Sequence, residues 1–129
     1  MKIAIDARMI GPYMHGISRY AYNLINGIAR TDKRNRYVLL VNDNFLKEFV
    51  SVHENFSLNI VRSKLYGIWE QFEIPRVLRV EKIDIFHSPS FFCPIVGECR
   101  KIMTIHDMIH VLFPEESSVF HKIYYKMIV

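Results

Sequence analysis

Apolar and polar positions along this chain fall into two alternating periods. The run Lys2-Ile-Ala-Ile-Asp6-Ala7 has no helical spacing and ends in a loop holding Gly11, Pro12 and Gly16, which predicts a buried strand followed by a turn region. From Ile17 the period changes. Ile17, Tyr20, Ala21, Leu24, Ile25, Ile28 and Ala29 form one continuous stripe at three- and four-residue spacing. Arg19, Asn23, Asn26 and Arg30 face the other way, and the hydrophilic run 31–36 closes the helix. Tyr37 to Val41 predicts a second buried strand. Asn42-Asp43-Asn44 offers capping side chains for a short helix built on Phe45, Leu46, Phe49 and Val50. Ser57 to Arg62 alternates as a weaker strand, and Trp69 to Val80 predicts two helical pieces broken at Pro75. Asp84 to Ser88 and Lys101 to Ile105 predict two further strands, joined by an apolar loop over 89–97. A last stripe, Val119, Phe120, Ile123, Tyr124, Met127 and Ile128, predicts a closing helix.

Strand runs alternating with helical runs predict an α/β fold, a Rossmann-like three-layer sandwich around a mostly parallel sheet. At 129 residues the chain is expected to form one domain. The terminal stripe has no Gly, Asn or basic cap behind it, so the polypeptide is expected to continue past Val129. Half of the residues are apolar and 23% are charged, which excludes an intrinsically disordered chain. A net charge of +4 favours anionic partners, yet the basic residues are scattered, so no nucleic-acid partner is expected. The longest uncharged stretch, Ile85 to Gly97, has thirteen residues and two prolines, too short to span a bilayer. No signal-peptide pattern is visible, and a cytoplasmic location is expected. Cys93 and Cys99 match neither metal nor redox spacing and are read as structural thiols.

In a fold of this class ligands bind at the carboxyl edge of the sheet, which is expected to hold residues 8–16, 87–90 and 106–110. Gly16 would let a phosphate approach the backbone at a helix N-terminus; the alternative is a turn glycine needing positive φ. His106, after a strand, suits proton transfer or hydrogen bonding toward developing charge, and Asp107 would raise its pKa or fix its tautomer. The alternative is a polar pair that caps the next turn. His110 with His106 lacks the helical His-Glu-x-x-His frame, so no metal is expected. His87-Ser88-Pro89 ends another strand at that edge, read either as a site or as a Ser-Pro turn. Arg8 is read as a clamp for an anionic group or as a rim residue.

Taken in order, several segments resemble family 4 glycosyltransferases. These are Lys2-Ile-Ala-Ile-Asp6-Ala7-Arg8, His15-Gly16-Ile17-Ser18-Arg19-Tyr20 with Leu24, and Trp69-Glu-Gln-Phe72 with Pro75. Asp84-Ile-Phe-His87-Ser88-Pro89, Thr104-Ile-His106-Asp107-Met108 and Phe113-Pro114-Glu115 follow at similar spacing. The resemblance implies the N-terminal, acceptor-side half of a GT-B architecture, ahead of a donor-binding domain with no counterpart among these residues. It implies retaining transfer of a sugar from a nucleotide-diphosphate donor to a saccharide or lipid-linked acceptor, with no metal and no cofactor. It implies Gly16 near the diphosphate, and His106 with Asp107 at the transferring sugar. Arg8, Ile17, Arg19, Tyr20, His87 and Ser88 would line the acceptor side. Membrane contact would be peripheral at most, and the chain alone is expected to be inactive. The alternative from another class is a non-catalytic nucleotide- or partner-binding domain that pairs with a separate donor subunit.

Overall fold

The computed structural model describes residues 1–51 and 53–107. Strand β1 (Lys2–Asp6) leads to helix α1 (Gly16–Thr31), β2 (Arg36–Val41), a short α2 (Lys47–Ser51) and β3 (Phe56–Ile60). Helix α3 (Glu70–Val80), β4 (Ile85–Ser88) and β5 (Arg100–Met103) follow. The five strands form one sheet in the order β3-β2-β1-β4-β5, and every neighbouring pair is parallel. This is a Rossmann-like α/β sandwich. The closing helix expected over 119–128, and His110, lie outside the described residues.

Both faces of the sheet are covered, which is why its central strands read as unbroken apolar runs. On one face Ala21, Ile25 and Ala29 of α1 pack with Ile5, Leu39 and Val41, and Phe49 and Val50 of α2 join them. On the other, Ile74 and Leu78 of α3 pack with Ala4, Val38, Leu40 and Phe86. The register pairs Ala4 with Val38 and Phe86, and Ile5 with Leu39 and His87, so each row of partners points to one face. His87 therefore lies on the face that α1 covers.

The expected break at Pro75 is absent, and α3 runs through it from Glu70 to Val80. Proline costs a helix interior about 3 kcal/mol through its missing donor and its clash with the preceding turn. Ile74 and Leu78 are buried on either side of it, and each such burial stabilises by about 1.5–3 kcal/mol. Two anchors against one lost bond keep the helix continuous. Its entry is wound by the tighter bonds Glu70 N–H to Gly67 O, Gln71 N–H to Ile68 O and Phe72 N–H to Trp69 O.

Neither cysteine is in a disulfide. Cys93 is buried in the α3-side core, and that burial pushes its thiol up to about 11. Alkylation at neutral pH is expected to modify Cys99 before Cys93, with Cys93 reacting only as the chain unfolds. Peptide mass mapping of a timed iodoacetamide reaction checks this, and equal rates would contradict the burial argument.

Candidate functional site at the carboxyl edge of the sheet

The chain leaves β1 toward β2 and β3 on one side, then crosses back to β4 and β5 on the other. The loops after β1 and β4 therefore leave two neighbouring strands at one carboxyl edge, the switch point where folds of this class bind ligands. Gly16 opens α1 on one side of it. His15 occupies the N-cap position without a side-chain capping bond, and Ser18 turns its hydroxyl back to His15 O at 2.9 Å. Gly16 has no positive φ, and a Cβ built there would meet nothing within 4 Å among the described residues. The turn reading of this glycine is thereby corrected: the backbone does not require glycine, and the space beside it is open.

Tyr20, His87, Thr104 and His106 meet at the same edge. Thr104 follows β5 and is held by its N–H to Ser88 O at 3.0 Å. Its hydroxyl lies 3.1 Å from His87 Nε2 and 3.5 Å from the Tyr20 hydroxyl. The Tyr20 ring stands edge-on to His106 with centroids 4.8 Å apart. His106 Nε2 is 2.9 Å from Pro89 O. A carbonyl oxygen only accepts, so Nε2 carries the proton and donates, and Nδ1 of the neutral ring is left as an acceptor. Desolvation lowers the His87 pKa, which favours its neutral form. His15, Gly16, Arg19, His106 and Asp107 are exposed, and Ile17 is half-buried.

Two of the expected site residues lie inside the protein. Ser88 is fully buried, and its hydroxyl donates to Phe92 O at 2.5 Å and contacts Ser90, so it fixes the start of the β4–β5 loop. Arg8 is 7% exposed and forms a fork to Asp6, Nε to Oδ1 at 2.9 Å and Nη2 to Oδ2 at 2.6 Å. The same Nη2 lies 2.6 Å from Oε2 of the fully buried Glu70, a charge contact without hydrogen-bond alignment. Arg8 thus ties the root of the β1–α1 loop to the first turn of α3, where a clamp for an anionic group or a rim residue had been expected. Burial opposes its charge, but Asp6 and Glu70 outweigh that and raise the guanidinium pKa further. Glu70 goes the other way: burial exceeds the attraction of Arg8 and pushes its carboxyl up to about 7. Tyr66, in the left-handed region at φ 61, stacks on Phe91 at 5.2 Å beside this cluster.

Thr104 and Glu70 take part in the contacts at this edge, and sequence reasoning gave neither of them a role of its own. Thr104 had one available signal, its place directly after a strand. Glu70 had none, because a glutamate at a helix start reads as an ordinary solvated first-turn acid.

No protein-family model, no curated protein and no solved structure matches the chain.

Proposed function

We propose that this chain is the acceptor-side domain of a retaining glycosyltransferase that uses a nucleotide-diphosphate sugar and a saccharide or lipid-linked hydroxyl. One observation carries the reading: the open space at Gly16, at the head of α1, shares an edge with the Tyr20–Thr104–His87–His106 cluster. Backbone amides at a helix start favour an anion, and uncharged polar groups around an imidazole suit sugar hydroxyls. In this reading the first turn of α1 faces the diphosphate, and His106 Nδ1 accepts a hydrogen bond from a hydroxyl of the transferring sugar. Pro89 O holds the ring in that tautomer, and Arg19 and Tyr20 flank the acceptor. Arg8 and Ser88 act from inside, by fixing the loops that carry these groups. The resemblance in motif order assigns most donor contacts to a domain beyond this one.

The test is release of nucleoside diphosphate by the full-length gene product across a panel of nucleotide sugars, with and without short saccharide acceptors. Acceptor-dependent release with one donor is the expected result. Saturable nucleotide binding without release from any donor would replace the reading with that of a non-catalytic binding domain.

A further inference from the structure

The segment that joins β3 to α3 is fastened to the interior by a carboxyl group. Leu65 packs partly against the α1-side core, and Ile74 is buried in the α3-side core. Between them only Glu70 is buried, and Ile68 and Trp69 beside it are 65% and 73% exposed. The entry of α3 is wound by three tight bonds, the longest Glu70 N–H to Gly67 O at 3.3 Å, and such bonds have poorer geometry than those of a regular α-helix. An apolar anchor would hold a segment of this kind at any pH. A carboxyl anchor holds it only in one charge state.

That carboxyl belongs to a triad whose charges do not balance. Arg8 Nη2 lies 2.6 Å from Asp6 Oδ2 and 2.6 Å from Glu70 Oε2, so two carboxylates share one guanidinium nitrogen, and all three side chains are buried. Asp6 takes both arms of the fork, whereas neither oxygen of Glu70 meets an aligned hydrogen-bond donor among the described residues. With both carboxylates ionised, two negative charges face one positive charge. Burial makes the excess costly, and a proton on one of two carboxylates that share a site removes it. Glu70 is the less well held of the two, and burial pushes its carboxyl up to about 7. The other ionisable groups that face the triad are Tyr66 from the β3–α3 loop, Cys93 from the β4–β5 loop and Glu73 from the next turn of α3. None of them is a cation, so none offsets the excess.

The same cluster binds three loops to one another. Arg8 roots the β1–α1 loop, and its Nη1 lies 3.4 Å from Ser63 O, just past β3. Tyr66 stacks on Phe91 with ring planes 3° apart and stands edge-on to Phe92, which ties the β3–α3 loop to the β4–β5 loop. It does so at φ 61, a conformation that a residue with a Cβ keeps only where its surroundings hold it. Pro89, whose carbonyl oxygen meets His106, is two residues before Phe91.

We infer that Asp6, Arg8 and Glu70 form a proton-operated latch on the carboxyl edge. Holding one proton, the triad keeps Glu70 inside and the segment 66–73 closed onto the β4–β5 loop. When the proton leaves, Glu70 withdraws to solvent and the first turn of α3 opens. Tyr66 then leaves both the left-handed region and Phe91. The closed form binds more proton than the open one, so opening is favoured as pH rises. The latch is a property of this edge whether or not sugar is transferred there.

Amide hydrogen exchange of the whole chain, corrected for the intrinsic pH dependence of exchange, tests the latch. Between about pH 5.5 and about pH 8 the protection of 66–73 is expected to fall by about tenfold or more. Exchange in this segment should be indifferent to low urea, because a local opening exposes little surface. Asp6→Asn leaves one carboxylate for one cation and should keep 66–73 protected at the higher pH. Glu70→Gln should make the protection of the segment independent of pH. Protection of 66–73 that does not change with pH in the parent chain would overturn the latch. Exchange there with the urea dependence of β2 would do the same, because the segment would then open only as the whole chain unfolds. A full pH-dependent fall retained in a folded Asp6→Asn or Glu70→Gln protein would place the proton elsewhere and overturn it too. The pH and urea measurements on the parent chain decide the matter even where a variant does not fold. No sugar donor enters these measurements, so their failure is separate from failure of the transferase reading.

Discussion

Arg8→Met is expected to lower the unfolding free energy by about 3–5 kcal/mol, because it leaves two buried carboxylates without their cation. Domains of this size are stable by only about 5–15 kcal/mol, so the variant should sit near the edge of folding. Asp6 loses both arms of its fork, and Glu70 loses its one close charge partner among the described residues. Urea unfolding followed by circular dichroism measures the loss, and a change below about 1 kcal/mol would return Arg8 to the surface-exposed role first expected of it. The same cluster predicts a pH dependence of defined sign. Glu70 is raised from 4.5 to about 7, so across that window the folded chain binds more proton than the unfolded one. Its contribution is complete below about pH 4.5 and is lost as pH rises through about 7, on the order of 3 kcal/mol. Glu70→Gln should flatten this part of the stability profile, since an uncharged amide has no proton to give up. An unchanged slope between pH 4.5 and 7 in that variant would show that the proton resides elsewhere.

The sheet and its two covering helices were legible in the sequence because burial on both faces leaves a direct imprint. Tyr37 to Val41 has no polar interruption, and the stripe Ala21, Ile25, Ala29 repeats at helical spacing. The carboxyl-edge placement of Gly16, His87 and His106 was legible for a related reason: residues that follow parallel strands share one edge whatever their side chains are. Partner choice within that edge was not legible. Nothing local separates an arginine that reaches solvent from one that turns inward, and Arg8 turns inward because two carboxylates distant from each other in sequence, Asp6 and Glu70, meet behind it. Pro75 failed for the same kind of reason, as the local cost of a proline was visible but the core beneath Ile74 and Leu78 was not. Thr104 joins His87 to Tyr20 only once β4 and β5 are paired, an interaction across the sheet that no single stretch of sequence records.

On the transferase reading proposed above, Gly16→Val is expected to abolish most sugar transfer while leaving the thermal midpoint close to that of the parent. The stability half rests on one fact: among the described residues a Cβ at position 16 meets nothing within 4 Å, so they accommodate it. Val is β-branched and fills the space through which a phosphate would reach the first-turn amides. A loss of about a hundredfold or more in kcat/KM matches removal of contacts to developing charge. On the same reading, His106→Ala should act on kcat more than on KM, again by about a hundredfold, because a hydrogen bond to the transferring sugar would strengthen as the glycosidic bond breaks. That variant also gives up the 2.9 Å bond to Pro89 O and the Tyr20 contact, at a cost of about 1–2 kcal/mol in stability. The two losses are separable by measuring unfolding and turnover on the same preparation. Parental turnover in a folded Gly16→Val protein would remove the diphosphate from the head of α1, and parental kcat in His106→Ala would leave the imidazole as a brace between Pro89 and Tyr20.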